Sequence, residues 1–221
     1  DALRRCEIIR RQSGEGTGAA GLKPGSFQFI SRWRVRGSAR DAFDVISQPL
    51  EFPRWWPSVY LSARQTKDQG VAFHTRGWLP YTLRWNAQVV EEQAPSRIVL
   101  RATGDFDGRG IWSFEQDGDF VDITFDWKLL ARKPLLTWLT PVMRPALEAN
   151  HKWAMAQGEK SLQLEMARYS SRSVEEMNSV PAPRGPAASQ RSFAAGAIAA
   201  VAVGAFIAWK LTSKRTSAER D

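Results

Sequence analysis

Residues 121–130, VDITFDWKLL, alternate without a break: Val121, Ile123, Phe125, Trp127 and Leu129 fall on one side, Asp122, Thr124, Asp126 and Lys128 on the other. A period of two belongs to an extended strand with one face in water and the other in a core. The pattern recurs in FQFISRWRVR, where Phe27, Phe29, Trp33 and Val35 oppose Gln28, Arg32, Arg34 and Arg36. It recurs again where Leu83, Trp85, Ala87 and Val89 oppose Arg84, Asn86 and Gln88. Strand-like runs at SVYLSARQT, VAFHTRGW, RIVLRATG and GRGIWSFEQ bring the set to seven, and DQG, GWLPY, QAPS, GDFDG and QDGD supply hairpin turns between them. Such a set makes one antiparallel sheet with a wet face and a dry face, and the dry face must be covered.

The cover lies near the C-terminal end of this region. After Pro134, Pro141 and Pro145 comes ALEANHKWAMAQGEKSLQLEMARY, 24 residues free of proline. Leu147, His151, Ala154, Met155, Gly158 and Leu162 recur there at helical spacing and form an inward stripe. A glycine inside a helix costs about 1 kcal/mol against alanine, so Gly158 predicts a close approach to the sheet. Between the first two strands, Ser38 with Asp41 three residues on reads as a helix N-cap, followed by the apolar face Ala42, Phe43, Val45 and Ile46. Next comes EFPRWWPSVY, in which Pro53 and Pro57 keep any helix short and Trp55 and Trp56 stand side by side. Two adjacent indoles in so short a segment need something to cover.

Composition narrows the function classes. Ten Trp and eleven Phe make an unusually aromatic interior, suited either to a solid core or to a pocket for an apolar ligand. The net charge of +8 is spread thinly: +2 over residues 1–25, +3 over 26–168 and +3 over 169–221. No dense basic stripe of the kind that phosphate binding needs is present, so nucleic acid is not expected as a partner. The single cysteine, Cys6, and two histidines, His74 and His151, give no structural zinc set, and neither metal nor cofactor is expected.

The ends of the chain read differently from its middle. Residues 1–25 are glycine-rich and aperiodic, a flexible N-terminal segment, and carry no apolar run of the secretory type. Residues 26–168 form the folded domain, and residues 169–190, polar and holding three prolines, a linker. Phe193–Trp209 is seventeen residues without a charge, bounded by Arg191 and Lys210, just long enough to cross a hydrocarbon core. The expected arrangement is therefore a single transmembrane helix at 191–212 with a basic tail at 213–221. Gly196, Ala200 and Gly204 form a small-residue seam along it that would suit weak pairing of two copies. By the positive-inside rule alone, the basic residues after the span would place the tail in the cytoplasm and the domain outside, but a large domain needs an export signal more than a nine-residue tail does. Without an export signal, a cytoplasm-facing domain on a C-terminal anchor is the expected orientation.

SRWRVRGSARDAFDVISQPLEFPRWWPSVY and NHKWAMAQGEKSLQLEMAR, in this order around the strands, resemble the SRPBCC superfamily, which includes START-like lipid carriers and the polyketide cyclase/dehydrase and lipid-transport proteins. The resemblance covers about residues 26–168. It implies an α+β helix-grip fold, a seven-stranded antiparallel sheet wrapped around a long C-terminal helix, enclosing an apolar cavity whose mouth is formed by the short helices and loops. Trp55 and Trp56 would then lie over the entrance. Strand phase adds Trp85, Trp112, Phe125 and Trp127 as ligand-binding candidates, with Tyr81 as a polar handle; the inward stripe of the helix adds Met155 and His151. Each of these is equally at home as ordinary core.

Some members of the superfamily cyclise or dehydrate polyketides. His151, Tyr81 and Asn150 are the residues here that could serve such chemistry. No nucleophile–base spacing, phosphate-cradling glycine loop or metal set accompanies them, and the paired Asp105 and Asp107 sit in a glycine-flanked segment that solvent explains. The expectation is a membrane-anchored protein that binds or carries a lipid or other apolar small molecule, with a cyclase/dehydratase-like enzyme as the alternative.

Overall fold

The computed structural model describes residues 26–79, 81–132 and 134–186. The predicted N-terminal segment, the span Phe193–Trp209 and the basic tail lie outside the described residues; among those described, no helix is long and apolar enough to cross a membrane.

Seven strands form one antiparallel sheet: β1 (Ser26–Arg36), β2 (Tyr60–Gln65), β3 (Val71–Arg76), β4 (Thr82–Gln93), β5 (Arg97–Gly104), β6 (Phe106–Asp117) and β7 (Phe120–Ala131). Their order is β1-β7-β6-β5-β4-β3-β2, a six-strand meander to which the first strand is added beside the last. The alternation read from VDITFDWKLL is realised on β7, where Val121, Ile123, Phe125 and Trp127 are buried. The predicted turn GDFDG is instead almost all strand, with only Asp105 between β5 and β6. Asp105 Oδ2 accepts the Arg84 N–H across the sheet, so the segment is held by pairing rather than by a loop.

Helix α1 (Ala39–Ile46) starts at Ser38, whose hydroxyl accepts the Asp41 N–H. A 3₁₀ turn (Pro49–Glu51) leads into the four-residue α2 (Phe52–Trp55). The covering helix α3 (Pro134–Tyr169) begins a dozen residues earlier than its proline-free stretch and runs through Pro141 and Pro145. Each internal proline removes one helical donor. Spaced four apart, the two lie on one face, which confines the missing bonds to a single side of the helix. In the predicted linker, Val174–Ser179 forms a further short helix, α4, because Ser173 caps it and Glu175 and Glu176 suit its positive end.

Helix α3 packs on β1 and also touches β7, α1 and α2. Its grip on β1 is polar. The N–H groups of Arg34 and Arg36, on the open edge of that strand, donate to Glu159 Oε1 and Gln163 Oε1, each at 3.0 Å. Two residues of strand advance about 6.6 Å and four residues of helix about 6.0 Å, so side chains one helical turn apart match alternate donors of an edge strand. Two donors of the exposed edge are thereby satisfied without another strand.

Gly158 does make a close approach, but to Trp56 rather than to the sheet. A Cβ at this position would stand 2.3 Å from Trp56 Cζ2. The indole of Trp56 is 2% exposed and meets Trp33 edge-on at 5.5 Å, while Trp55 stacks beside it at 5.5 Å. Gly158→Ala should therefore lose stability despite alanine's helical advantage, by about 1–3 kcal/mol from overpacking. Urea titration will measure this, and in a Trp56→Phe background the same substitution should cost less.

Candidate functional site

Between the sheet and the middle of α3 lies a cavity of about 170 Å³. β1 brings Phe27 and Phe29 to it, β4 Leu83 and Trp85, β6 Phe106, and β7 Phe125, Trp127 and Leu129. From α3 come Leu147, Asn150, His151, Ala154 and Met155. These arrive in register because inward positions on neighbouring strands are direct partners: Phe29 faces Trp127 across β1 and β7, and Thr75 faces Leu83 across β3 and β4. The partly exposed wall residues Arg76, Gly77, Tyr81 and Leu147 mark the rim, whereas Phe125, Trp127 and Met155 are buried.

The sequence candidates separate on this map. Trp56, Tyr81, Trp85, Phe125, Trp127, Asn150, His151 and Met155 all line the cavity. Trp55, only 1% exposed, lies behind Trp56 in the solid core and reaches no cavity wall. Trp112 stacks on the far side of Phe125, with centroids 4.0 Å apart, and belongs to a second, smaller space. The paired indoles therefore divide their roles: one walls the cavity, and its neighbour backs it.

Tyr60 and Phe106 were not singled out in the sequence. Tyr60 is the first residue of β2, where the register shifts between Tyr60 and Ser62, so strand phase alone could not orient it. Arg76 closes β3, one residue out of phase with the inward Thr75, yet contributes to the rim. Among the described residues it is the one arginine both partly buried and without an ion-pair partner.

The polar groups of the wall are mostly occupied. Asn150 Oδ1 accepts the Leu79 N–H at 3.2 Å, fastening the β3–β4 connection to α3. Gly77 makes room for it, since a Cβ there would stand 2.1 Å from Asn150 Oδ1. The His151 ring stacks on Phe29 with centroids 4.2 Å apart, and its Nε2 shares a 3.3 Å hydrogen bond with Ser31 Oγ. The Trp85 indole N–H donates to Thr75 Oγ1 at 3.2 Å. Burial pushes the His151 imidazolium down to about 4 and the Tyr81 phenol up to about 12. Tyr60 is raised further for the same reason. At neutral pH all three rings are uncharged.

A long helix gripped by an antiparallel sheet, with a largely apolar cavity between them, defines the helix-grip class of α+β folds. Within that class the chain belongs to the family of polyketide cyclase/dehydrase and lipid transport proteins, whose model matches residues 27–166. Solved structures agree in fold. An aromatase/cyclase from Streptomyces sp. R1128 superposes with a TM-score of 0.54 at 12% identity over 66% of this chain and 97% of its own. A START superfamily protein from Mycobacterium smegmatis gives 0.51 at 13% identity over 65% and 99%. A di-domain aromatase/cyclase of the BE-7585A biosynthetic pathway gives 0.50 at 15% identity over 73% of this chain, which spans only 59% of that protein. No curated protein matches the chain in sequence.

The lowered His151 value sets a pH dependence. The folded state resists a proton that the unfolded chain accepts near 6.5, so stability is full above that pH and falls as pH drops toward about 4. The loss is at most about 3 kcal/mol. His151→Phe, which keeps the stack on Phe29, should show a smaller drop in melting temperature between neutral pH and pH 5 than the parent.

Proposed function

We propose that this protein binds and carries an apolar small molecule, a lipid or isoprenoid-like compound, in the cavity between its sheet and α3. The observation that carries the reading is the wall itself: aromatic and aliphatic side chains from five strands and one helix around about 170 Å³ of space. Removing apolar area from water contributes roughly 25 cal/mol per Å², so a ligand covered by several rings gains affinity without directional bonds.

The proposal extends to a membrane. The uncharged stretch Phe193–Trp209 would hold the domain beside a bilayer on a linker of some twenty residues, facing the cytoplasm, where a cavity protein could take up or deliver a bilayer-resident compound. Its small-residue seam would allow two copies to pair.

The alternative, a cyclase or dehydratase, draws on the family description and on the aromatase/cyclases among the structural neighbours. Its candidate groups are poorly set for proton transfer. His151 near 4 is a weak base at neutral pH, Tyr81 near 12 a weak acid, and Asn150 is held by Leu79. Binding is the better-supported reading.

Native mass spectrometry of the purified protein should find a co-purifying apolar compound. Ala154→Trp, which places an indole in the cavity, should lower that occupancy at least tenfold while the protein remains folded by circular dichroism. A cavity empty of apolar compounds in every preparation, with none bound on addition, would sink the reading. In liposome flotation the full chain should rise with the vesicles and a chain ending at residue 186 should not; equal behaviour of the two would remove the anchor.

A further inference from the structure

We infer that a second cavity extends the binding site, and that the guest is a flexible single-chain molecule rather than a rigid fused ring system; this rests on the binding reading above. The second space, about 90 Å³, is bordered by the α1–α2 connection and the middle of the sheet, with Ile46, Phe52, Val71, Ala87 and Ile98 in its wall. Tyr60, Trp85 and Phe125 belong to the walls of both cavities. These three residues, from β2, β4 and β7, form the partition.

The three rings are held unequally. Trp85 is fixed by its hydrogen bond to Thr75. Phe125 is stacked between Trp112 at 4.0 Å and Trp127 at 5.3 Å. Tyr60 meets Phe52, Trp56 and Phe73 by tilted and edge contacts, and its hydroxyl has no hydrogen-bond partner among the described residues. It also begins an edge strand at a point of irregular register. Rotation of this one side chain breaks no hydrogen bond, and it is the movable element of the partition.

An opening made by one displaced ring is narrow. A polymethylene or prenyl chain, a single carbon wide along most of its length, can thread it; a fused aromatic system cannot. Charge sets the direction: the ionised side chain of the first cavity is Arg76 and that of the second is Glu92, so a carboxylate end stays in the first and the tail passes into the second.

The test is a chain-length series of saturated fatty acids, octanoate to octadecanoate, binding to the full protein by displacement of a fluorescent probe. Affinity should rise about fourfold per methylene and level off only once the second cavity is filled. Ala87→Leu, and Ile98→Phe as a second variant from the neighbouring strand, occupy that space and should make affinity level off at a shorter chain. Tyr60→Ala should speed association of the longest chains. A parallel series from geraniol to geranylgeraniol distinguishes a fatty chain from an isoprenoid, and a length dependence in either supports the inference. Parent and variants levelling off at the same length would overturn it, as would a fused-ring carboxylate such as anthracene carboxylate outcompeting every chain; octanoate bound in those cases leaves the binding reading standing. If neither chains nor fused rings bind the parent protein, both readings fall together.

Discussion

The contact of Trp56 with Gly158 sets how far α3 can stand from the sheet, and the cavity depends on that spacing. C-terminal to Gly158 the helix is packed tight: Leu162 is fully buried, and Glu165 and Met166 nearly so. N-terminal to it, Met155, Ala154, His151 and Leu147 border empty space. A glycine lets the indole sit against the helix backbone, so one large ring closes the inner end of the hollow and caps the solid core at once. The helix is thus clamped at one end and held off at the other. A protein interior otherwise tends toward close packing, so a cavity of this size needs such a spacer to persist.

Polar residues on α3 assemble this arrangement more than they furnish chemistry. Glu159 and Gln163 satisfy the β1 edge, Asn150 secures the β3–β4 connection, and His151 meets Ser31. Buried Glu165 accepts from Arg54 at 2.6 Å and Arg168 at 3.3 Å, tying α2, and with it the Trp55–Trp56 segment, to the helix. Removing one member of such a buried ion pair leaves the other uncompensated, which is why these bonds fix geometry more firmly than their net energy implies. The aromatic interior carries a cost of its own. The indole N–H groups of Trp33, Trp55 and Trp56 are buried without partners among the described residues, at about 1–3 kcal/mol each. Ring packing and apolar burial offset it.

How much of this was legible in the sequence follows from which signals are local. Period-two alternation placed the inward faces of β1, β4 and β7, and Ser38 announced α1, because phase and capping depend only on near neighbours. Gly158 announced a close approach but not its partner, since Trp56 lies about a hundred positions away. The same limit separated the two adjacent indoles: Trp55 ends a four-residue helix and Trp56 follows as its C-cap, and only the packed partner decides which one meets the cavity. Tyr60 is not legible in the sequence because a bulge resets strand phase beside it. The start of α3 is hidden in the sequence because proline normally stops a helix, whereas here two prolines on one helical face are absorbed.

On the proposed binding role, the electrostatics of the wall suit apolar guests better than charged ones. His151 and Tyr81 are partly or largely withdrawn from water and neutral, and Asn150 Oδ1, His151 Nε2 and the Trp85 indole N–H are engaged by Leu79, Ser31 and Thr75. A charge entering such a space would lose its hydration with nothing inside to replace it. Arg76, the formal charge in the wall, stays at the rim, where water still reaches it. Discrimination among apolar guests then falls to shape. Because a methylene is worth about 0.8 kcal/mol wherever it is buried, length and width decide the outcome, and both are set by rings that the sheet and α3 hold in place.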